Sequence, residues 1–197
     1  MHFAASFPHL VCSVALLAPV GLLKCLPTTY EELKQAAQAG RDESEIRARV
    51  GRALDINFHE PKTQPSGSVV TRMGFDPAVL VRWQFEKHEG HVASFASHVQ
   101  HSPLQEQHEV WREACAVLKG KYDVADGRSR HSRKEKLVVV CGRDDDIVLE
   151  VDVRESLNML TGKEHFILET VEAGHGFLVD GAACEKIVGV LAQQWQL

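Results

Sequence analysis

Apolar and polar positions divide the chain into three zones. In residues 1–26, His2–Pro8 (HFAASFP) reads as the closing turns of a helix stopped by Pro8. Ser13–Ala18 follows as a short buried strand closed by Pro19-Val-Gly21. Residues 27–131 are polar and helical. Thr29-Tyr-Glu-Glu32 reads as a capping box opening a helix that Gly40 ends, and Asp42-Glu-Ser-Glu45 opens another with Ile46, Val50 and Leu54 on one face. Asp76-Pro77 and Ser102-Pro103 each pair an N-cap residue with proline at the first helical position, which predicts two more helix starts. Glu60–Ser68 is a loop by composition.

Residues 132–197 change character. Leu137–Cys141 (LVVVC) is continuously apolar, as a strand covered on both faces requires. A helix Val151–Leu160 ended by Gly162 follows, then a strand Phe166–Val171 and a helix Ala183–Trp195. Ile187, Leu191 and Trp195 in that last helix recur at i, i+4, i+8, a core-facing stripe. Strand, helix, strand, helix at this spacing predicts the α/β class, with about three parallel strands. Arg128–Lys136 (RSRHSRKEK) reads as a solvated loop before this zone.

Composition narrows the function classes. Of 197 residues 44% are hydrophobic and 25% charged, which excludes disordered and fibrous chains. With 22 basic and 27 acidic residues the net charge is −5, against a nucleic-acid or polybasic membrane surface. No apolar run approaches the roughly 18 residues of a membrane span. The five cysteines (Cys12, Cys25, Cys115, Cys141, Cys184) are odd in number, widely spaced and without Cys-x-x-Cys, which points to reduced thiols and a cytoplasmic chain. Leu10–Leu23 looks like a signal-peptide core, but no Lys or Arg precedes it and Pro19 and Gly21 interrupt it. No glycine-rich phosphate loop and no Gly-x-Gly-x-x-Gly occurs, so no nucleotide cofactor is expected. His91, His98, His101 and His108 have no thiol or acidic partners at a recognised metal spacing, so no metal is expected either.

Candidate chemistry gathers on two loops: Gly142-Arg-Asp-Asp-Asp-Ile-Val148 after the first of these strands and Ala173-Gly-His-Gly-Phe177 after the second. Ligand chemistry in open α/β sheets sits at the carboxyl ends of strands. A carboxylate on one loop and His175 on the next would make an acid–His pair, with the imidazole as general base. Each loop alone is more often a plain turn, the first solvated and the second tight; acid then His on adjacent strand ends tips the balance toward chemistry. Trp83, Phe85, Phe95 and Trp111 read as helical core, the commoner use of aromatics in helices, or as lining of a substrate pocket, for which Trp83, Phe95 and Trp111 are the candidates.

Strand–Gly-x-x-Asp-x-x-Val, a helix, then a strand leading into Gly-His resembles the last third of an α/β-hydrolase. His2–Leu23 resembles the helix behind that family's nucleophile and the strand after it. Gly90–Phe95 and Ser102–Trp111 resemble cap segments of its fungal members. The resemblance implies a partial α/β-hydrolase sheet with residues 27–131 as an inserted helical cap, Asp145 as the acid and His175 as the base. Asp144 and Asp146 are the fallback acids, and Leu149 stands where the family usually has proline. It further implies a small-molecule acyl or ester substrate cleaved through an acyl-enzyme. The family's Gly-x-Ser-x-Gly nucleophile has no counterpart: Ser6 lies near a helix end with no strand before it, and Ser66 and Ser68 lie in a polar loop. A nucleophile is therefore missing, and the chain is expected not to cleave esters as it stands. The rival readings are a non-catalytic accessory or binding protein and a truncated product of a full-length hydrolase. A sheet cut short in this way predicts self-association through its open edge.

Overall fold

The apolar run at Leu137–Cys141 becomes the centre of a parallel sheet. A computed structural model describes residues 1–54, 77–123, 137–162 and 165–195. The described elements are α1 (His2–Ser6), β1 (Ala15–Leu17), α2 (Thr28–Gln38), α3 (Glu43–Ala53), α4 (Pro77–Lys87) and α5 (His91–His101). After them come α6 (His108–Asp123), β2 (Leu137–Gly142), α7 (Glu150–Thr161), β3 (Phe166–Val171) and α8 (Gly181–Trp195). The protein is of the mixed α/β class, and among the described residues three parallel strands lie in the order β1-β2-β3.

The described residues fall into two compact units, and the first is made of Met1–Lys24, Leu104–Leu178 and Ala182–Leu197. Every residue of β2 is buried, and strand pairing sets Val138 opposite Ala15 and Val139 opposite Leu168. Val138 and Val140 share one face with Val171, Phe177, Ala183 and Ile187, against which Ala15, Leu17 and Leu191 also pack. The alternate residues Leu137, Val139 and Cys141 face the other way by the pleat and are buried as well. A strand in this position has no solvated face, which is why its sequence does not alternate. α7 packs on β3 and α6, and α6 packs on α1.

The second unit, Cys25–Pro103 with Val179–Gly181, has a helical core of its own. Leu33, Val50, Phe85, Val92, Ala96 and Val99 form it, with Tyr30, Ile46 and Phe95 packed around. Arg47 clamps Phe85 twice: its guanidinium lies 4.5 Å from the ring centroid and donates to the Phe85 carbonyl at 2.8 Å. The polar zone read from sequence as residues 27–131 is thus divided, with α2–α5 in this unit and α6 in the first.

Two helix starts differ from the sequence expectation. α2 begins at Thr28, two residues earlier than a Thr29 cap would place it, with no side-chain cap: the Pro27 carbonyl accepts from Tyr30 and Glu31 instead of a Thr29 hydroxyl serving as cap. Ser102-Pro103 ends a helix rather than opening one. Ser102 is extended, as the residue before proline prefers, so α5 stops at His101 and the next helix waits until His108. Asp42 does cap α3, its carboxylate accepting from Glu45 N at 2.9 Å. Asp76, the loop Glu60–Ser68 and the basic stretch Arg128–Lys136 lie outside the described residues. No helix among the described residues is long and apolar enough to cross a membrane, and all five cysteines are free thiols.

Candidate functional site

Because β2 and β3 are parallel neighbours, their exits leave the same edge of the sheet, a strand spacing of about 4.8 Å apart. The exit of β2 runs through Arg143–Leu149 into α7, and that of β3 through Glu172–Gly176 into the short turn Phe177–Val179. Two backbone bonds continue the ladder beyond the strands: Arg143 N donates to Val171 O at 2.8 Å and Asp144 N to Ala173 O at 3.2 Å.

Asp145 is turned inward by its own loop. Its Oδ1 accepts from Ile147 N at 2.9 Å and Val148 N at 2.8 Å, an Asx-type turn, while the buried Val148 side chain anchors the loop below. The carboxylate has no exposed surface. His175 is set by a matching anchor: fully buried Phe177 donates its N–H to Gly174 O and pins the far end of the turn. The imidazole Nδ1 lies 3.0 Å from Asp145 Oδ2 and 3.2 Å from Oδ1. Its side chain is 44% exposed.

The electrostatics follow from this geometry. Burial alone would raise the Asp145 carboxyl. The hydrogen bond with His175 and those from Val148 and Ile147 together outweigh it and hold the group below the usual carboxylate range. His175 moves the opposite way: the hydrogen bond to Asp145 raises it, burial subtracts, and the charges of Asp145 and Asp146 add to the rise. Asp144 and Asp146 are exposed, so of the three adjacent aspartates only Asp145 reaches the ring.

The remaining candidates sit elsewhere. Trp83 is exposed on α4, and Phe95 packs edge-on against Tyr30 in the helical unit. Trp111, on α6, is buried at 3% exposure beside Gly21. Ser6 is exposed on α1, and Ser66 and Ser68 lie outside the described residues. Among the described residues no hydroxyl or thiol bonds His175, whose bonds are those of Nδ1 to Asp145. Burial pushes the Cys141 thiol up to about 12 and Cys115 up to about 11, so neither is a thiolate at neutral pH. His98 pairs with the Ser102 hydroxyl at 2.9 Å, and no group of three metal-ligating side chains occurs among the described residues.

Sequence reasoning passed over Glu150. Its carboxylate accepts from Thr170 Oγ1 on β3 at 3.0 Å and from Arg154 Nε at 2.9 Å, tying the first turn of α7 to the neighbouring strand. The Arg154 bond chiefly holds Glu150 below its ordinary range, with burial opposing and Thr170 assisting. The i, i+4 spacing of Glu150 and Arg154 is the visible signal for half of that arrangement. Set against protein-family models, curated proteins and solved structures, the chain matches none.

Proposed function

We propose that Asp145 and His175 are the acid–base pair of an α/β-hydrolase-like core whose chemistry is directed at esters, thioesters or related acyl compounds. One observation carries the reading. A carboxylate without exposed surface lies 3.0 Å from Nδ1 of a half-exposed imidazole, at the carboxyl ends of adjacent parallel strands. Ionised Asp145 can only accept, so Nδ1 carries the proton and Nε2 keeps a lone pair. Such a ring takes the proton of a hydroxyl attacking an acyl carbon, and returns it to the leaving oxygen or sulfur. The carboxylate stabilises the imidazolium in between.

An acyl-enzyme also needs a nucleophile, and removing it costs about as much rate as removing the whole catalytic unit. The lack of a hydroxyl on His175 among the described residues favours a second reading, an accessory protein that binds acyl compounds without cleaving them. Two experiments on the purified chain separate the readings. Hydrolysis of a p-nitrophenyl ester is expected not to exceed that of His175→Ala, and a fluorophosphonate probe is expected not to label. Non-hydrolysable methyl ketone and amide analogues of acyl substrates are expected to shift the His175 ring resonances. Turnover that depends on His175, or labelling abolished by one serine substitution, selects the enzyme. Binding without turnover selects the accessory protein, and no response to any acyl analogue contradicts the substrate class.

A further inference from the structure

The sequence motif Gly-x-x-Asp invites the view that its glycine serves a turn. The backbone says otherwise: among the glycines that need positive φ are Gly21, Gly40 and Gly162, and Gly142 is not one of them. Gly142 is the last residue of β2, paired with Val171, in a conformation any residue can adopt. What is unusual is the space. A Cβ at Gly142 would sit 2.9 Å from the Gly174 carbonyl oxygen and 3.2 Å from the Gly174 carbonyl carbon. The Ala173 carbonyl oxygen would be closer still. All three atoms are backbone of the His175 loop, so no side chain can swing aside to relieve the clash.

We propose that Gly142 is a positioning residue for the Asp145–His175 pair, its bare Cα allowing the two loops to close to hydrogen-bonding distance. The close approach sits where it is needed. The Ala173 carbonyl that a Cβ would strike is the one that accepts from Asp144 N, one residue before the carboxylate and two before the imidazole. A methyl group there drives the His175 loop outward, breaks the Asp144–Ala173 bond and lengthens Nδ1···Oδ2 beyond 3.0 Å. The atoms nearest that Cβ are backbone and belong to neither functional side chain, so Gly142 acts through the backbone between them. Gly174 provides the contrast, since a Cβ there meets only Asp144 O at 3.4 Å, an ordinary contact.

The inference rests on the Asp145–His175 pair being the working unit, and its test keeps the two claims apart. The His175 ring is titrated by NMR in the wild type, Gly142→Ala, Gly174→Ala and Asp145→Asn, at low temperature with trimethylamine N-oxide to hold weakened variants folded. The wild type and Gly174→Ala are expected to titrate together, above the ordinary histidine value. Gly142→Ala is expected to fall to the Asp145→Asn curve while its β2 amide resonances stay dispersed. A folded Gly142→Ala that titrates like the wild type overturns the positioning role. So does a Gly142→Ala that will not fold under these conditions, because the glycine would then serve the whole sheet. If the wild type and Asp145→Asn coincide, the failure belongs to the underlying pair.

Discussion

Asp145→Asn is the substitution that isolates charge from shape at the candidate site. The amide oxygen can still accept from Ile147 and Val148 N–H, so the Asx turn survives. The charge-assisted bond to His175 is lost, the Ile147 and Val148 bonds become neutral ones, and the new NH2 group faces Nδ1 at about 3.0 Å. Hydrogen bonds to charged groups contribute about 1.5–3 kcal/mol net. His175 is 44% exposed, so solvent screening brings the expected loss to about 1–2 kcal/mol. The pH dependence gives the sign. His175 is raised above its ordinary 6.5, so its contribution is complete below pH 6.5 and is lost as pH rises through the folded value. Asp145 is lowered from 3.8, so its contribution is complete above pH 3.8 and is lost as pH falls through its folded value. The stability difference between wild type and Asp145→Asn should therefore be widest between pH 3.8 and 6.5 and should narrow toward pH 9, where a neutral Nδ1–H bond remains. Urea unfolding at pH 5.5 and pH 9 measures both gaps. A gap that is equal at the two pH values, or wider at pH 9, refutes the reasoning.

Two further outcomes probe the frame around the pair. Gly21→Ala must adopt φ +101° and place its Cβ 2.9 Å from Trp111 Nε1, so a loss of about 1–3 kcal/mol is expected in chemical unfolding; a loss under 0.5 kcal/mol would mean that the turn after β1 relaxes freely. Phe177→Ala empties a fully buried site in the core beneath the His175 loop and should cost about 3–5 kcal/mol. In the same variant His175 should titrate closer to an ordinary histidine, and an unchanged titration would separate the loop from its anchor.

Much of the frame was legible because it obeys patterns that are local. Leu137–Cys141 reads as a strand with both faces covered and is one, extended by Gly142, and Phe166–Val171 is a strand at the bounds its pattern predicts. The pairing of Asp145 with His175 was legible as a juxtaposition, since parallel neighbours must present their exits together. The helix starts were less so. Thr29 and Ser102 both carry the right hydroxyl, yet the Pro27 carbonyl took the first role, and the restriction before Pro103 turned the second into a helix end. The place of α6 was hidden for a different reason. Its polarity matches the helices before it, but buried Trp111, Ala114, Cys115 and Leu118 pack it in the sheet-bearing unit. The spatial constraint on Gly142 was invisible altogether, because it depends on a backbone 31 residues away that only the sheet brings close.

On the proposed function, Asp145 holds His175 as a base, with its proton on Nδ1 and its lone pair on Nε2. Nitrogen-15 spectroscopy of the His175 ring reads this directly, because neutral Nδ1–H and Nε2–H tautomers have different shifts. Nδ1–H is expected at high pH in the wild type, with a midpoint above 6.5, and both properties are expected to be lost in Asp145→Asn. An Nε2–H tautomer in the wild type, or a midpoint at or below 6.5, would contradict it.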